Sequence, residues 1–362
     1  MNIAHINNNL GSGGVERLLT DILPGLRNKG HNVFLVVLNN RKSFDYNIYL
    51  LESNNIKIIN LNYGYYNPFV ILQLIFINYY YKINIWHCHT FPSQYWLSIA
   101  SFFFTKRVKI VKTEHAIHNR RMEYKYLKFI NKIMYSRYDK IIAITSSISI
   151  MLTKWLALDN SKISVIKNGV NISRVRTQNS KSPYSFDKDY FNILMVARFD
   201  GWQKDHKSIV EAMKFTDEKI RLYLVGEGHF QGVIKDLVVS YKLTNKIFFL
   251  GVRSDVYYLM RSVNLNVLVS NFEGLSGVVL ESLSSGVPFC GSNVSGIKEC
   301  VPNNDFLFDT NSVEDISIKI MKIKNSNELQ IKMMNDASEY ITKYSHEVSI
   351  NKINEIYKNF KT

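Results

Sequence analysis

Two glutamates eight residues apart, Glu273 and Glu281, bracket the segment EGLSGVVLE. The apolar run Leu265–Val269 ahead of them reads as a strand, and a helix is predicted to start near Gly277. Leu275, Ser276, Gly277 and Val278 would then offer backbone N–H groups at a helix start, which carries about half a positive charge and suits a pyrophosphate or sugar oxygen. The flanking carboxylates can accept hydrogen bonds from hydroxyls. Gly286-Val287-Pro288 stops that helix and leads into another strand. Upstream, Arg198 and Lys204 follow a strand predicted over Phe191–Ala197. Cations at the carboxyl end of a strand sit where open α/β sheets bind ligands, and they can stabilise a departing diphosphate.

The N-terminal half carries a second set. Gly11-Ser12-Gly13-Gly14 lies between a strand and a helix, where glycines allow either close approach to a phosphate or a plain tight turn. The spacing is not GxGxxG and no acidic residue is placed to select a dinucleotide ribose, which argues against a dehydrogenase. His115 follows a strand. Trp86-His87-Cys88-His89-Thr90 ends another, and is expected to form a wall on the acceptor side, because alternation along a strand and the lack of a fourth ligand argue against a metal. Asp187-Lys188-Asp189 spells a metal-binding DxD but falls in a polar stretch, and Arg198 and Lys204 make a metal unnecessary for charge neutralisation. No cofactor and no metal are expected.

These residues need elements to hold them. Strand-like runs alternate with helical patterns from Ile3 to Ile166, falter over 171–190, and resume from Phe191. Such alternation predicts βαβ units and parallel sheets. The expected organisation is α/β: a Rossmann-like domain over 1–170, a linker over 171–190, a second Rossmann-like domain over 191–345, and a C-terminal helix over 346–362 that returns to the first domain. At 362 residues, 46% of them apolar, the chain is long enough for two cores. Its three cysteines have no CxxC spacing and fit a reducing cytoplasm. The start, MNIAHINNNL, reads as a first strand rather than a signal peptide. Phe69–Tyr81 is too short for a membrane span and contains Gln73 and Asn78, so a buried or interface-lying helix is expected there.

The net charge of +15 is concentrated. Between Thr105 and Lys140, eleven basic side chains face three acidic ones, an excess equal to about half of the total. Arg121, Lys125, Lys128 and Lys132 recur at helical spacing along one face, with Met122, Tyr126, Phe129, Ile130 and Ile133 opposite. A basic amphipathic helix with aromatic residues suits an anionic membrane surface, and no nucleic-acid-binding motif accompanies it.

The order and spacing of these motifs resemble the retaining GT-B glycosyltransferases of family 4, the type found in bacterial capsule, O-antigen and exopolysaccharide synthesis. The resemblance rests on Gly13-Gly14-Val15-Glu16, Asn168-Gly169-Val170, Arg198 with Lys204, Gly226-Glu227-Gly228, Gly251-Val252-Arg253-Ser254-Asp255, and the paired glutamates with Gly286-Val287-Pro288. It implies two domains facing across a cleft and a metal-independent transfer of sugar from a nucleotide sugar, expected to be a UDP-sugar, to a glycan acceptor, expected to be lipid-diphosphate-linked. It further implies that Glu273 contacts the donor sugar, that Glu281 holds the ribose, and that Arg198 and Lys204 grip the diphosphate. Leu275 to Val278 would bind sugar and phosphate oxygens. Gly226, Gly228, Val252 and Arg253 would flank the base. Gly13 and Gly14 would close over the phosphates, and His115 would approach the donor sugar. His89 and the basic helix would belong to the acceptor and membrane side, at the inner face of the cell membrane. Ser276, Asn171, Ser282 and Asp205 depart from the family's usual residues and bear on donor identity. A nucleotide-sugar epimerase of the same fold, or a non-catalytic protein binding anionic membranes, are the alternatives.

Overall fold

The computed structural model describes residues 1–11, 13–39, 43–116, 124–178, 184–310 and 312–360, and only the backbone of Lys125 and Tyr126. The chain divides into two units, one of Met1–Gly169 with His346–Thr362, the other of Val170–Ser345.

The first unit is built on seven parallel strands, β1 (Asn2–Asn7), β2 (Asn32–Val37), β3 (Lys57–Asn60), β4 (Ile85–Cys88), β5 (Lys109–Glu114), β6 (Lys140–Ala143) and β7 (Ile163–Val165), in the order β3-β2-β1-β4-β5-β6-β7. The second has six, β8 (Phe191–Val196), β9 (Ile220–Val225), β10 (Ile247–Gly251), β11 (Leu265–Leu268), β12 (Phe289–Ser292) and β13 (Leu307–Phe308), in the order β10-β9-β8-β11-β12-β13. Both are doubly wound parallel sheets. Helices cover both faces of such a sheet, which is why central strands such as NVFLVV read as unbroken apolar runs.

Three inner strands of the first sheet break that rule. His5 and Asn7 of β1, His87 of β4, and Lys112, Thr113 and Glu114 of β5 are all buried. Buried polar groups must find partners, and these are the residues that shape the site below.

Two expected elements differ. The polar stretch 171–190 is not simply a linker: it contributes a helix, Ile172–Thr177, capped by the Asn171 Oδ1, which accepts from the Arg174 N–H at 2.9 Å. Val175 is fully buried, Arg176 donates to the Ser284 carbonyl, and Arg261 donates to the carbonyls of Val175 and Gln178. Short and polar, this helix shows little apolar periodicity; its cap and its contacts within the second unit hold it. The sequence also reads as helical from Asn327 to Phe360 without a break, whereas the structure has a helix Asn327–Tyr340, a 3-10 turn Ile341–Tyr344, and a helix His346–Asn359 that starts where the C-terminal helix was expected.

That last helix belongs to the first unit. Ile350, Ile353 and Tyr357 join the core formed by Leu18, Ile22, Leu26 and the strands β1, β2 and β4. Gly25 gives it room, since a Cβ there would collide with the Ile350 side chain. Ile353→Ala should therefore cost about 2–5 kcal/mol, as for other large-to-small core changes. Urea denaturation measures it, and a loss near zero would show that the helix contributes no core.

Candidate active site

In each sheet the order of connection reverses beside one strand, and ligands of doubly wound folds bind outside the carboxyl ends of the strands at that switch point. In the second unit the switch lies between β8 and β11. The loop after β8 carries Arg198 and Lys204; the loop after β11 carries Glu273 and leads into the helix Gly277–Ser284.

Backbone bonds join the two loops. Asp205 N–H donates to the Val269 carbonyl at 3.0 Å, Asn271 N–H donates to the Gln203 carbonyl at 2.9 Å, and Lys204 forms an antiparallel bridge with Ser270. Asp200 folds the first loop, its Oδ1 accepting from the N–H groups of Trp202, Gln203 and Lys204 at 3.2, 3.0 and 3.0 Å. The Lys204 ammonium then meets the Glu273 carboxylate, which also accepts from Ser270 Oγ at 3.1 Å and Gln203 Nε2 at 3.3 Å. Glu273 is only 7% exposed, so three donors compensate for the lost hydration. Burial pulls the Lys204 ammonium down to about 7, with the Asp200 carboxylate opposing and Arg198 adding to the fall. The direct contact with Glu273 also favours the charged lysine. Arg198 is exposed; its carbonyl accepts from Asp200 N–H at 3.0 Å, and no hydrogen bond or ion pair engages its guanidinium among the described residues.

Glu281 lies on the next turn of the helix and is 8% exposed; its carboxylate accepts from the Tyr257 hydroxyl at 3.0 Å. Ser276 is the N-cap, but its side chain makes no cap bond, so the first amides at Gly277 and Val278 are not closed off by it. Leu275 and Ser276 are buried, while Gly277 is exposed. Gly296, which sequence reasoning passed over, supports this loop from beneath: a Cβ there would lie 1.7 Å from the Gly274 carbonyl oxygen and 2.4 Å from that of Glu273. Gln203, Ser270, Tyr257 and Asp200 were missed for the same reason, since their roles arise from loops that meet only in the fold.

The remaining second-unit candidates are mixed. Gly226, at φ +137°, lies against the end of β8, where a Cβ would sit 2.1 Å from the Ala197 carbonyl oxygen; Gly228 is equally close to that of Phe199. Val252 is 40% exposed. Arg253 is held in a two-pronged pair with Asp255, at 2.8 and 2.6 Å, so its charge is already matched within its own loop. Asp187 of the DxD sequence pairs with Arg221 at 3.1 Å.

In the first unit the switch point lies between β1 and β4. The turn after β1 is tied down by Asn9, whose Oδ1 accepts from Gly11 N–H at 3.0 Å, and by Asn47, whose Nδ2 donates to the Gly11 carbonyl at 2.6 Å. Gly13 caps the helix Gly14–Asn28, and Glu16 reaches back over it so closely that a Cβ would strike the carboxylate.

Beside this turn the strand register sets His5 of β1 directly against His87 of β4. His89, expected on the acceptor wall, is instead buried, at 2% exposure, with both ring nitrogens engaged. Its Nε2 lies 2.9 Å from His5 Nδ1 and its Nδ1 lies 3.3 Å from His115 Nε2. His5 Nε2 is 3.3 Å from the Tyr357 hydroxyl, which is 2.5 Å from His87 Nδ1; His87 Nε2 is 2.6 Å from Thr113 Oγ1. Beneath them Lys112 donates to the carbonyls of His89 and Thr113 at 2.8 and 2.7 Å, and sits 3.9 Å from Glu114.

The nitrogens of His5, His87 and His89 lie within 4.8 Å of one another, close enough to suggest a metal centre. The residues fit one poorly. All three are already bonded through both nitrogens to imidazoles or hydroxyls, and the buried charge beside them is the Lys112 ammonium, which would repel a cation. A linked set of neutral imidazoles accounts for every contact.

The basic helix spans Lys125–Ser136. Arg121 and Met122 lie outside the described residues, as does the side chain of Lys125. Its inner face is Asn131 and Tyr135, both buried. Lys128 and Lys132 are exposed, and so are the apolar Phe129 (69%), Ile130 and Ile133. The helix Phe69–Tyr80 does likewise, exposing Phe69, Leu72, Phe76, Tyr79 and Tyr80. Phe102 and Phe103 connect the two: Tyr79 donates to the Phe103 carbonyl at 2.7 Å, and the Arg137 guanidinium stacks over Phe102 at 4.3 Å. Among the described residues no helix is long and apolar enough to cross a membrane.

Burial drives the imidazoles of His5 and His115 down to about 3 and those of His87 and His89 well below their usual range; Lys112 adds to the fall at all but His5, and Glu114 opposes it at His115. Above an unfolded-state pKa of about 6.5 these groups are neutral in both states and add no pH dependence. As pH falls below that value the unfolded chain takes up protons that the folded one refuses, so stability drops by up to about 1.4 kcal/mol per histidine per pH unit. Calorimetry should show the melting temperature falling steeply between pH 6.5 and pH 5, values set by that reference pKa of about 6.5. A flat profile would mean that the histidines are charged in the native protein.

The comparisons with known proteins agree with this geometry. A family model described as "Glycosyltransferase Family 4" matches residues 12–174 and one described as "Glycosyl transferases group 1" matches residues 176–343. The chain is 26% identical over 222 residues to UDP-Gal:alpha-D-GlcNAc-diphosphoundecaprenol alpha-1,3-galactosyltransferase of Escherichia coli, a region covering 56% of each chain. It is 24% identical over 310 residues, 82% of each chain, to N-acetylgalactosamine-N,N'-diacetylbacillosaminyl-diphospho-undecaprenol 4-alpha-N-acetylgalactosaminyltransferase of Campylobacter jejuni. A glycosyltransferase from Rickettsia africae superposes with a TM-score of 0.85 at 24% identity, covering 100% of this chain and 98% of that one. Anabaena Alr3699/HepE in complex with UDP and glucose superposes at 0.84 with 19% identity, covering 99% and 100%. At these identities the structural likeness speaks for the fold, and the family models speak for descent. With two parallel-sheet Rossmann-like domains, each matched by a glycosyltransferase family model, the chain belongs to the GT-B glycosyltransferases of the family 4 type.

Proposed function

We propose that the protein transfers a sugar, with retention of anomeric configuration and without a metal, from a UDP-sugar to a lipid-diphosphate-linked glycan in the synthesis of a bacterial surface polysaccharide. The observation that carries the reading is the convergence at the β8–β11 switch point of an exposed Arg198, a buried Lys204–Glu273 pair, and a helix start whose N-cap side chain leaves the first amides open.

In this reading the diphosphate lies against Arg198, Lys204 and the amides at Gly277 and Val278, whose charge stabilises it as it leaves. Binding the dianion would also keep Lys204 protonated. Glu273, released in part from Lys204, accepts hydrogen bonds from hydroxyls of the donor sugar, and Glu281, oriented by Tyr257, accepts those of the ribose. Leu275 and Ser276 contribute backbone at the same turn. The base lies along the Gly226–Gly228 and Val252 loops, with Arg253 as a fixed wall. The acceptor is taken by the first unit near the turn at Gly13 and Gly14. Two relatives named for work on undecaprenyl-diphosphate-linked sugars support a lipid-linked acceptor.

The membrane side follows from the exposed surface of the first unit. Lys128 and Lys132 stand beside Phe129, Ile130 and Ile133, and the row from Phe69 to Tyr80 continues through Phe102 and Phe103. Apolar and aromatic side chains among lysines suit insertion into an anionic headgroup layer, each cation adding about 1 kcal/mol.

Two experiments test these statements. Glu273→Gln, which keeps the size and hydrogen-bonding groups of the buried side chain, should abolish transfer in a protein whose melting curve shows it still folded; unchanged turnover would remove Glu273 from the chemistry. Run beside it, a thermal-shift screen of the wild-type protein against UDP-, GDP- and ADP-sugars should single out the UDP donors. Flotation with vesicles containing anionic lipid should carry the protein to the top fraction, and Phe76→Ser with Phe129→Ser should leave it at the bottom. If the doubly substituted protein floats like the wild type, the membrane surface lies elsewhere.

A further inference from the structure

Three loops at the carboxyl ends of β1, β3 and β4 meet in the first unit, and none of them carries a charge. Asn7 to Gly11, Leu61 to Pro68 and Thr90 to Trp96 hold no Lys, Arg, Asp or Glu, in a chain of net charge +15. They are rich instead in asparagine and aromatic residues. Asn9 is the pivot. Its Oδ1 accepts from Gly11 N–H at 3.0 Å and its Nδ2 donates to the Tyr65 hydroxyl at 2.9 Å, so one side chain fixes both the glycine turn and the loop after β3. The Trp96 indole N–H donates to the Tyr65 carbonyl at 2.8 Å, which ties the same loop to the helix Ser93–Ala100. Asn8 fastens the third loop: its Oδ1 accepts from Ser93 N–H at 3.3 Å and its Nδ2 donates to the Phe91 carbonyl.

These bonds hold aromatic rings in place without burying them fully. Phe91 is 39% exposed and meets the Tyr95 ring edge-on, with centroids 5.2 Å apart. Tyr95 and Trp96 are partly buried, and the Tyr95 hydroxyl donates to Asn131 Oδ1 of the basic helix at 2.8 Å. Tyr65 is partly buried too; its hydroxyl accepts from Asn9, and its own hydrogen has no acceptor among the described residues. Ordered rings with amides and phenols between them suit a ligand that is apolar on its faces and hydroxylated at its rim. A pyranose is such a ligand: its C–H groups lie on the negative face of an aromatic ring, and its hydroxyls reach the polar groups. The lack of charge argues against other ligands. A diphosphate, a nucleotide or an anionic headgroup calls for cations, and the three loops offer none.

We propose that these loops bind a neutral sugar ring of the acceptor glycan, with Phe91, Tyr95 and Trp96 against its C–H groups and the Tyr65 hydroxyl donating to one of its oxygens. The surroundings match the rest of a lipid-diphosphate-linked acceptor. The loop that carries Tyr65 runs directly into the helix Phe69–Tyr80 with its exposed apolar side chains, and the ring centroids of Tyr63 and Phe69 are 6.5 Å apart and stacked. Through Asn131, Tyr95 is joined to the helix that bears the exposed Lys128 and Lys132. Sugar, diphosphate and lipid thus each have a matching surface on one unit: uncharged rings, lysines and an apolar helix. The acceptor's part rests on the transferase reading above; the binding of a sugar by these rings does not.

The probes are methyl glycosides of glucose, galactose, N-acetylglucosamine and N-acetylgalactosamine, added to full-length protein labelled with fluorotryptophan. The chain has four tryptophans, and Trp96→Phe identifies the 19F signal of that one. At least one glycoside should move the Trp96 signal saturably. Tyr65→Phe and Phe91→Ala should each raise its apparent Kd about five- to tenfold, the worth of one hydrogen bond or one ring contact. Melting curves report whether each variant folds; the exposed Phe91 is the safer of the two. A Trp96 signal that no glycoside moves, or a Kd unchanged in a folded variant, overturns the proposal. Flotation with vesicles containing anionic lipid gives a second reading: Phe91→Ala should float like the wild type, and if it stays at the bottom the ring serves the membrane and the sugar role falls. The thermal-shift screen keeps the two readings apart. A nucleotide sugar that stabilises the protein while no glycoside moves Trp96 removes the sugar face and leaves the transferase reading standing; glycoside binding in a protein that no nucleotide sugar stabilises does the reverse.

Discussion

A single buried carboxylate organises the second unit's candidate site. Glu273 leaves water at the end of β11 and can do so only because the loop from β8 delivers Lys204 and Gln203 to it and Ser270 adds a hydroxyl. The backbone bonds between 203–205 and 269–271 fasten the same two loops. The requirement to pair one charge thus fixes two loops whose strands are neighbours in the sheet but 69 residues apart in the chain. Once they are fixed, the helix at Gly277 and the exposed Arg198 have defined places around them.

The first unit obeys the same rule with neutral groups. Its inner strands bury His5, His87 and His89, and their rings are satisfied by linking to one another and to hydroxyls. The cost is sensitivity to acid.

Much of this was legible in the sequence. Alternating strands and helices implied the two parallel sheets, because strands buried on both faces must be apolar throughout. The Glu273–Glu281 spacing, Arg198 and Lys204 all fall where the topology places a ligand. What could not be read were relations between distant segments. Nothing in MNIAHIN announces that His5 will lie opposite His87, since register is set by packing of the whole sheet. Tyr357 is one tyrosine among twenty-two until the last helix docks. His89 looked available because its strand neighbours are polar, yet the rings on either side bury it. Helical period alone does not say which face of the basic helix is covered; Asn131 and Tyr135 form the covered one, bonded to Tyr95 and Glu114. Arg253 was expected to flank the base, and Asp255, two residues on, already matches its charge.

The chain leaves the first unit after Gly169 and re-enters it at His346, and at that passage Val170 pairs with Ser345 and donates to the Tyr344 carbonyl at 2.8 Å. The entire second unit is therefore an insertion whose two ends are clasped together. An insertion closed at its neck can be replaced by another of similar neck without cutting any strand of its host. The second unit is in that sense a cassette, and recombination at two adjacent points would give the same first unit a different insert.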